Sequence, residues 1–145
     1  MQASACGKII LCGEHAVVYG RPAIALPLAD VRAHALVQNS GAGNGITIDA
    51  PDLERRWSLA DTPDHPLSEL IASIPTYLGV ATPLGLVIEI GSTIPIASGM
   101  GSGAAIATAL VRALAMHLGR DLSAADVSAL VYTSEQRFHG TPSGI

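Results

Sequence analysis

Aromatic residues are scarce in this chain, with one tryptophan, one phenylalanine and three tyrosines making 3% of 145 residues. The core must therefore be built from Ala, Val, Ile and Leu within a hydrophobic content of 49%, too high for a disordered chain. Charge is also sparse, at 14% of residues with a net charge of −4 and no basic run, which excludes a nucleic-acid partner. No apolar stretch approaches the roughly 18 residues of a membrane span. The N-terminus lacks a charged n-region, and "IILC" is too short for the core of a signal peptide. The two cysteines, Cys6 and Cys12, fall in one apparent strand. Six steps of about 3.3 Å put them beyond disulfide reach, so free thiols and a cytoplasmic location are expected. Internal repeats and linkers are missing too. The length is that of one domain, which buries roughly 68–70% of its unfolded surface.

What is present is a strand-rich first half and a helix-rich second half, an α+β pattern. "ACGKIILCG" (5–13) reads as a strand and "AIALPLADVRAHALVQN" (23–39) as one or two, with Pro27 a break or an edge marker. "NSGAGNG" (39–45) predicts a hairpin into "ITIDA", and "LERRWSLA" a further strand. His65–Val80 carries Leu67, Leu70, Ile71, Ile74 and Leu78 at helical spacing, with a break expected at Pro75. "GLVIEIGS" (85–92) is a strand. A helix apolar on most sides, and so buried, spans 103–119; "SAAD" (123–126) is a capping box opening a second helix to about Phe138.

Between the last strand and the buried helix lies "PIASGMGSGAA" (95–105), with Gly99, Gly101 and Gly103 alternating. No Lys follows the glycines, which excludes a Walker A loop. The dinucleotide fingerprint matches formally at Gly99, Gly101 and Ala104. Its acidic partner about 20 residues on is found only as Asp121, between two helices rather than at a strand end, so that context fails. A glycine turn opening a helix instead aims several backbone N–H groups at one point, with the positive end of the helix dipole behind them. That combination binds phosphate. A plain connecting turn stays open as the alternative.

Three segments together resemble the GHMP kinases, and within them the mevalonate kinase branch: "GKIILCGEHAVVYGRPAIA" (7–25), the glycine loop, and "EQRFHGTPSGI" (135–145). They stand in the family's order and cover the whole chain. The resemblance implies a mixed sheet with helices packed on one face, like a domain of a ribosomal protein, with a left-handed βαβ crossover. It implies ATP and Mg²⁺ as cofactors and transfer of a phosphoryl group to mevalonate or a similar small hydroxy acid. The full-length form would be a cytoplasmic enzyme of isoprenoid precursor synthesis, with a homodimer open.

By the same resemblance, Lys8 stands near the transferring phosphoryl group. Ser98, Gly99, Met100, Gly101, Ser102, Gly103 and Ala104 hold the ATP phosphates. Glu14 and His15 line the acceptor pocket, and Glu135 is a magnesium ligand. Val127, Val131 and Glu135 follow one another at i, i+4, so this carboxylate continues an apolar stripe and needs a partner. The other histidines, at 34, 65, 117 and 139, show no metal-ligand spacing and read as structural or surface residues.

Two departures stand out. The family's second loop serine, its other magnesium contact, is here Gly103, with Ser102 the adjacent hydroxyl. The chain also stops at Ile145, where the family continues with the aspartate that accepts the hydroxyl proton. This implies an N-terminal ATP-binding domain spanning 1–145, without the C-terminal domain and inactive alone. A phosphomevalonate kinase, a diphosphomevalonate decarboxylase, a non-catalytic sensor and a dinucleotide-binding oxidoreductase domain remain as rivals.

Overall fold

The computed structural model describes residues 1–13, 16–41, 45–81 and 85–139, with Val18 and residues 137–139 described by backbone. The strands are β1 (Gln2–Cys12), β2 (Ile24–Asn39), β3 (Ile46–Ala50), β4 (Arg55–Ser58) and β5 (Leu86–Ser92). The helices are α1 (Pro66–Tyr77), α2 (Ser102–His117) and α3 (Ala124–His139). One five-stranded mixed sheet has the order β1-β2-β5-β3-β4, with β3 and β5 parallel and the other pairs antiparallel.

Alternation decides which sheet face is covered. Ala33, Ala35 and Val37 of β2, Ile46, Ile48 and Ala50 of β3, and Leu86, Ile88 and Ile90 of β5 are all buried. The helices pack on this face, through Leu70, Ile71 and Ile74 of α1, Leu110, Val111 and Leu114 of α2, and Val127, Leu130 and Val131 of α3. Each such aliphatic side chain contributes about 1.5–3 kcal/mol on burial. Where aromatic bulk is lacking, alanine lets backbones approach: Ala104, Ala105, Ala107, Ala109, Ala113 and Ala115 are all buried in α2. The residues between, such as His34 and Glu89, are half-buried on the opposite face.

The hairpin expected from "NSGAGNG" does not form. β2 and β3 are not neighbours, because β5 lies between them and pairs with both. The turn signal is local, whereas partner choice follows burial. Placing β5 centrally puts Leu86, Ile88 and Ile90 over the middle of the core and leaves the short, charged β4 at the edge. The parallel β3–β5 pair then requires a crossover, which β4 and α1 supply. Pro75 does not break α1 either: the helix runs through it and ends at Tyr77, with Pro75 buried.

β2 is a single strand. Its half before Ala33 outruns β5 and pairs only with β1, which is where Pro27 sits, opposite Lys8. A register shift between Cys6 and Gly7 separates this two-stranded arm from the main sheet. The chain leaving β5 bonds β2 through the Thr93 N–H, which donates to the Arg32 carbonyl, and then reaches β1 at Lys8 through Met100. Cys6 and Cys12 are both free.

Candidate active site at the glycine loop

Local sequence shapes the loop. Ala97, Gly99 and Gly101 have φ of +56°, +73° and +69°, a left-handed conformation that glycine takes freely and alanine takes at about 1–2 kcal/mol. Met100 anchors the turn by packing beside Ala33, Ile94 and Ala105. Its carbonyl accepts the Lys8 backbone N–H at 3.0 Å. That approach needs a bare backbone at Gly7, where an added Cβ would lie 3.1 Å from the Met100 oxygen. The Ser98 hydroxyl donates to the Pro95 carbonyl at 2.7 Å, which tightens the turn from within.

The loop delivers the chain to the N-terminus of α2 with an unusual cap. His65 caps α1 by accepting the Leu67 N–H at 3.2 Å, and Ser123 caps α3 by accepting the Asp126 N–H at 3.2 Å. The cap of α2 is Gly101, with no side-chain bond. The first turn of a helix leaves its N–H groups without intrahelical partners and carries about half a positive charge. At α2 those donors open toward the loop.

Two charged side chains flank them. Lys8 lies across Gly101, where a Cβ would stand 3.2 Å from its Cγ and 3.4 Å from its Cε. On the other side, Glu135 at the end of α3 is 8% exposed, and its Oε1 lies 3.1 Å from where a Cβ on Gly103 would be. Glycine at 101 gives passage to the lysine, and glycine at 103 gives passage to the carboxylate. The periodic stripe behaves as the spacing predicts, with Val127 at 4% exposure, Val131 at 0% and Glu135 next in line.

Lys8, the 98–104 loop and Glu135 are thus brought together from β1, the β5–α2 connection and α3. Glu14, His15 and residues 140–145 lie outside the described residues. His65 is a helix cap, His117 bonds the Asn39 side chain at 3.1 Å, and the His34 ring covers Gly91. Asp121 is exposed in the α2–α3 connection, so it serves no strand-end ribose contact. The reading of the sequence missed Gly7 and Ala97. A glycine inside a strand was the signal for the first; Ala97 offered none.

Chemically, backbone N–H donors at a helix N-terminus with a lysine beside them hold a phosphorylated ligand. The donors nearest them, the Glu135 carboxylate and the Ser102 hydroxyl, are hard oxygens suited to a divalent cation. Among the described residues no group of three or more His, Cys, Asp or Glu could hold a metal. A divalent cation there would take few protein ligands and draw the rest from phosphate oxygens and water, the mode Mg²⁺ favours.

The class defined here is a helix-on-sheet α+β domain with a glycine loop at a helix N-terminus, and comparison with known proteins narrows it. The family described as GHMP kinases N terminal domain matches residues 68–145, more than half of the chain, and the chain belongs to it. The matched span contains the glycine loop and Glu135. The mevalonate kinase of Pyrococcus horikoshii is 33% identical over 157 residues, a match covering 99% of this chain and 46% of that protein. The solved mevalonate kinase of Methanococcus jannaschii shares the fold at a TM-score of 0.84 with 26% identity, covering 98% of this chain and 48% of that one. The L. major mevalonate kinase in complex with R-mevalonate gives 0.70 and 27%, with coverage of 98% and 43%. The chain spans about half the length of the curated relatives it matches.

Proposed function

We propose that this chain is the nucleotide-phosphate-binding domain of a phosphotransferase that moves the γ-phosphoryl group of ATP to the primary hydroxyl of mevalonate. A second domain would close the cleft over the loop. The observation that carries this is the meeting of Lys8 and Glu135 on either side of the uncapped α2 N-terminus, Lys8 against Gly101 and Glu135 against Gly103.

In this scheme the α2 N–H groups and the loop backbone hold the phosphates. Lys8 stabilises charge on the transferring oxygens, where preorganised donors in a dry site do most of the work. Glu135, with Ser102, would hold Mg²⁺, which when bound neutralises phosphate charge and fixes the orientation of the transferred group. Glu14 and His15 would shape the acceptor side. Mevalonate as acceptor rests on the likeness to mevalonate kinases and on "GEHAVVYG" in the sequence. A cytoplasmic setting is supported by two free cysteines, and no described helix is long and apolar enough to cross a membrane.

The test is a substrate panel on the full-length gene product with Mg·ATP, followed by phosphorus NMR. R-mevalonate should be phosphorylated with one ADP formed per product. Turnover of phosphomevalonate in preference to mevalonate, or of neither, would overturn the proposal.

A further inference from the structure

Away from the glycine loop, the groove between α1 and α3 holds a cavity of about 490 Å³. None of its lining residues belongs to the loop, and neither Lys8 nor Glu135 reaches it. The volume falls in the range of about 300–1,000 Å³ typical of small-molecule sites. Leu70 and Leu130 give it an apolar floor; Glu69, Ser73, Thr133 and Ser134 supply polar groups. The lining includes no Lys, Arg or His, so the cavity disfavours phosphates and carboxylates.

Its hydroxyls are not equivalent. Ser73 donates to the Leu70 carbonyl at 2.7 Å and Thr133 to the Ala129 carbonyl at 3.0 Å, the ordinary outlet for a helical hydroxyl. Ser134 is 5% exposed, and its Oγ has no hydrogen-bond partner. Buried polar groups are normally satisfied, and an exception beside a cavity marks a place where a ligand or water belongs.

We propose that this cavity binds a small cationic amphiphile: an amine whose ammonium pairs with Glu69 and whose short apolar body lies over Leu70 and Leu130, against the wall that holds Ser134. Amide chemical-shift mapping of the chain tests it with three probes of one shape, phenylpropylamine, phenylpropanol and phenylpropionate. The amine should shift Ser73, Ala129 and Ser134 and leave Gly99–Ala104 unmoved. The alcohol should bind about tenfold more weakly, the difference a charge-assisted hydrogen bond makes, and the carboxylate should not bind. Glu69→Gln should bring the amine down to the alcohol. Ala129→Trp, entering from an exposed wall, should abolish both; should it unfold the chain, Glu69→Gln decides alone. Equal binding of amine and carboxylate, an amine affinity unchanged in Glu69→Gln, shifts confined to the glycine loop, or loss of amine binding in the full-length gene product would each overturn the proposal.

Discussion

Gly101→Ala and Lys8→Ala should not act independently. Alanine at 101 carries two costs. One is the left-handed backbone, φ +69°, at about 1–2 kcal/mol. The other is displacement of Lys8, whose Cγ and Cε lie 3.2 and 3.4 Å from the new methyl group. With Lys8 cut to alanine the second cost vanishes, so the double variant should be more stable than the sum predicts by about 0.5–1 kcal/mol, the low end for residues in contact because a lysine stem can swing. Gly99→Ala is the control. Its φ is +73°, but nothing lies within 4 Å of its Cβ, so it pays strain alone. It should add to Lys8→Ala within about 0.3–0.5 kcal/mol. Urea melts followed by fluorescence of Trp57, the sole tryptophan, report each stability. Additivity for Gly101→Ala as good as that for Gly99→Ala would refute the packing of Lys8 on the loop.

Further outcomes follow from the same geometry. Glu135→Gln should raise the Mg²⁺ concentration needed for half-maximal binding of AMPPNP by about tenfold or more in a titration. Gly91→Ala should cost about 1–3 kcal/mol in a urea melt, since the new methyl group would stand 2.5 Å from the His34 ring and 3.0 Å from Asp52. Asp126 is held below its ordinary 3.8 by the Ser123 hydroxyl first, then by Tyr77 and the Ser123 N–H. A depressed carboxylate stabilises the fold above its unfolded value, and that contribution fades as pH falls through the folded one. Asp126→Asn should therefore flatten the loss of stability below pH 3.8 in a pH series of thermal melts.

Elements with a dense local signal were legible in the sequence. The α2 boundaries, the Ser123–Asp126 capping box and the buried face of α3 all follow from side chains a few residues apart. The glycine loop was legible because alternating glycines before an apolar helix leave few physical readings. Sheet order was not. The 39–45 turn marks a change of direction, but that β5 comes between β2 and β3 is a long-range outcome of burial. Pro75 shows the same limit, since packing of Leu70, Ile71 and Ile74 carries α1 on to Tyr77, past the end that the proline alone suggests. In the candidate site, Glu135 announced itself as a carboxylate on an apolar stripe. The contact of Lys8 with Gly101 lay hidden, because it joins β1 to a loop about 90 residues away.

Amide chemical-shift mapping with Mg·AMPPNP tests the phosphate cradle most directly. Binding should move the backbone amides of Gly99 through Ala104 and of Lys8, together with Glu135, and Lys8→Ala should weaken it. Saturable binding that moves other amides and leaves Gly99–Ala104 in place would contradict the assignment of this loop to phosphate.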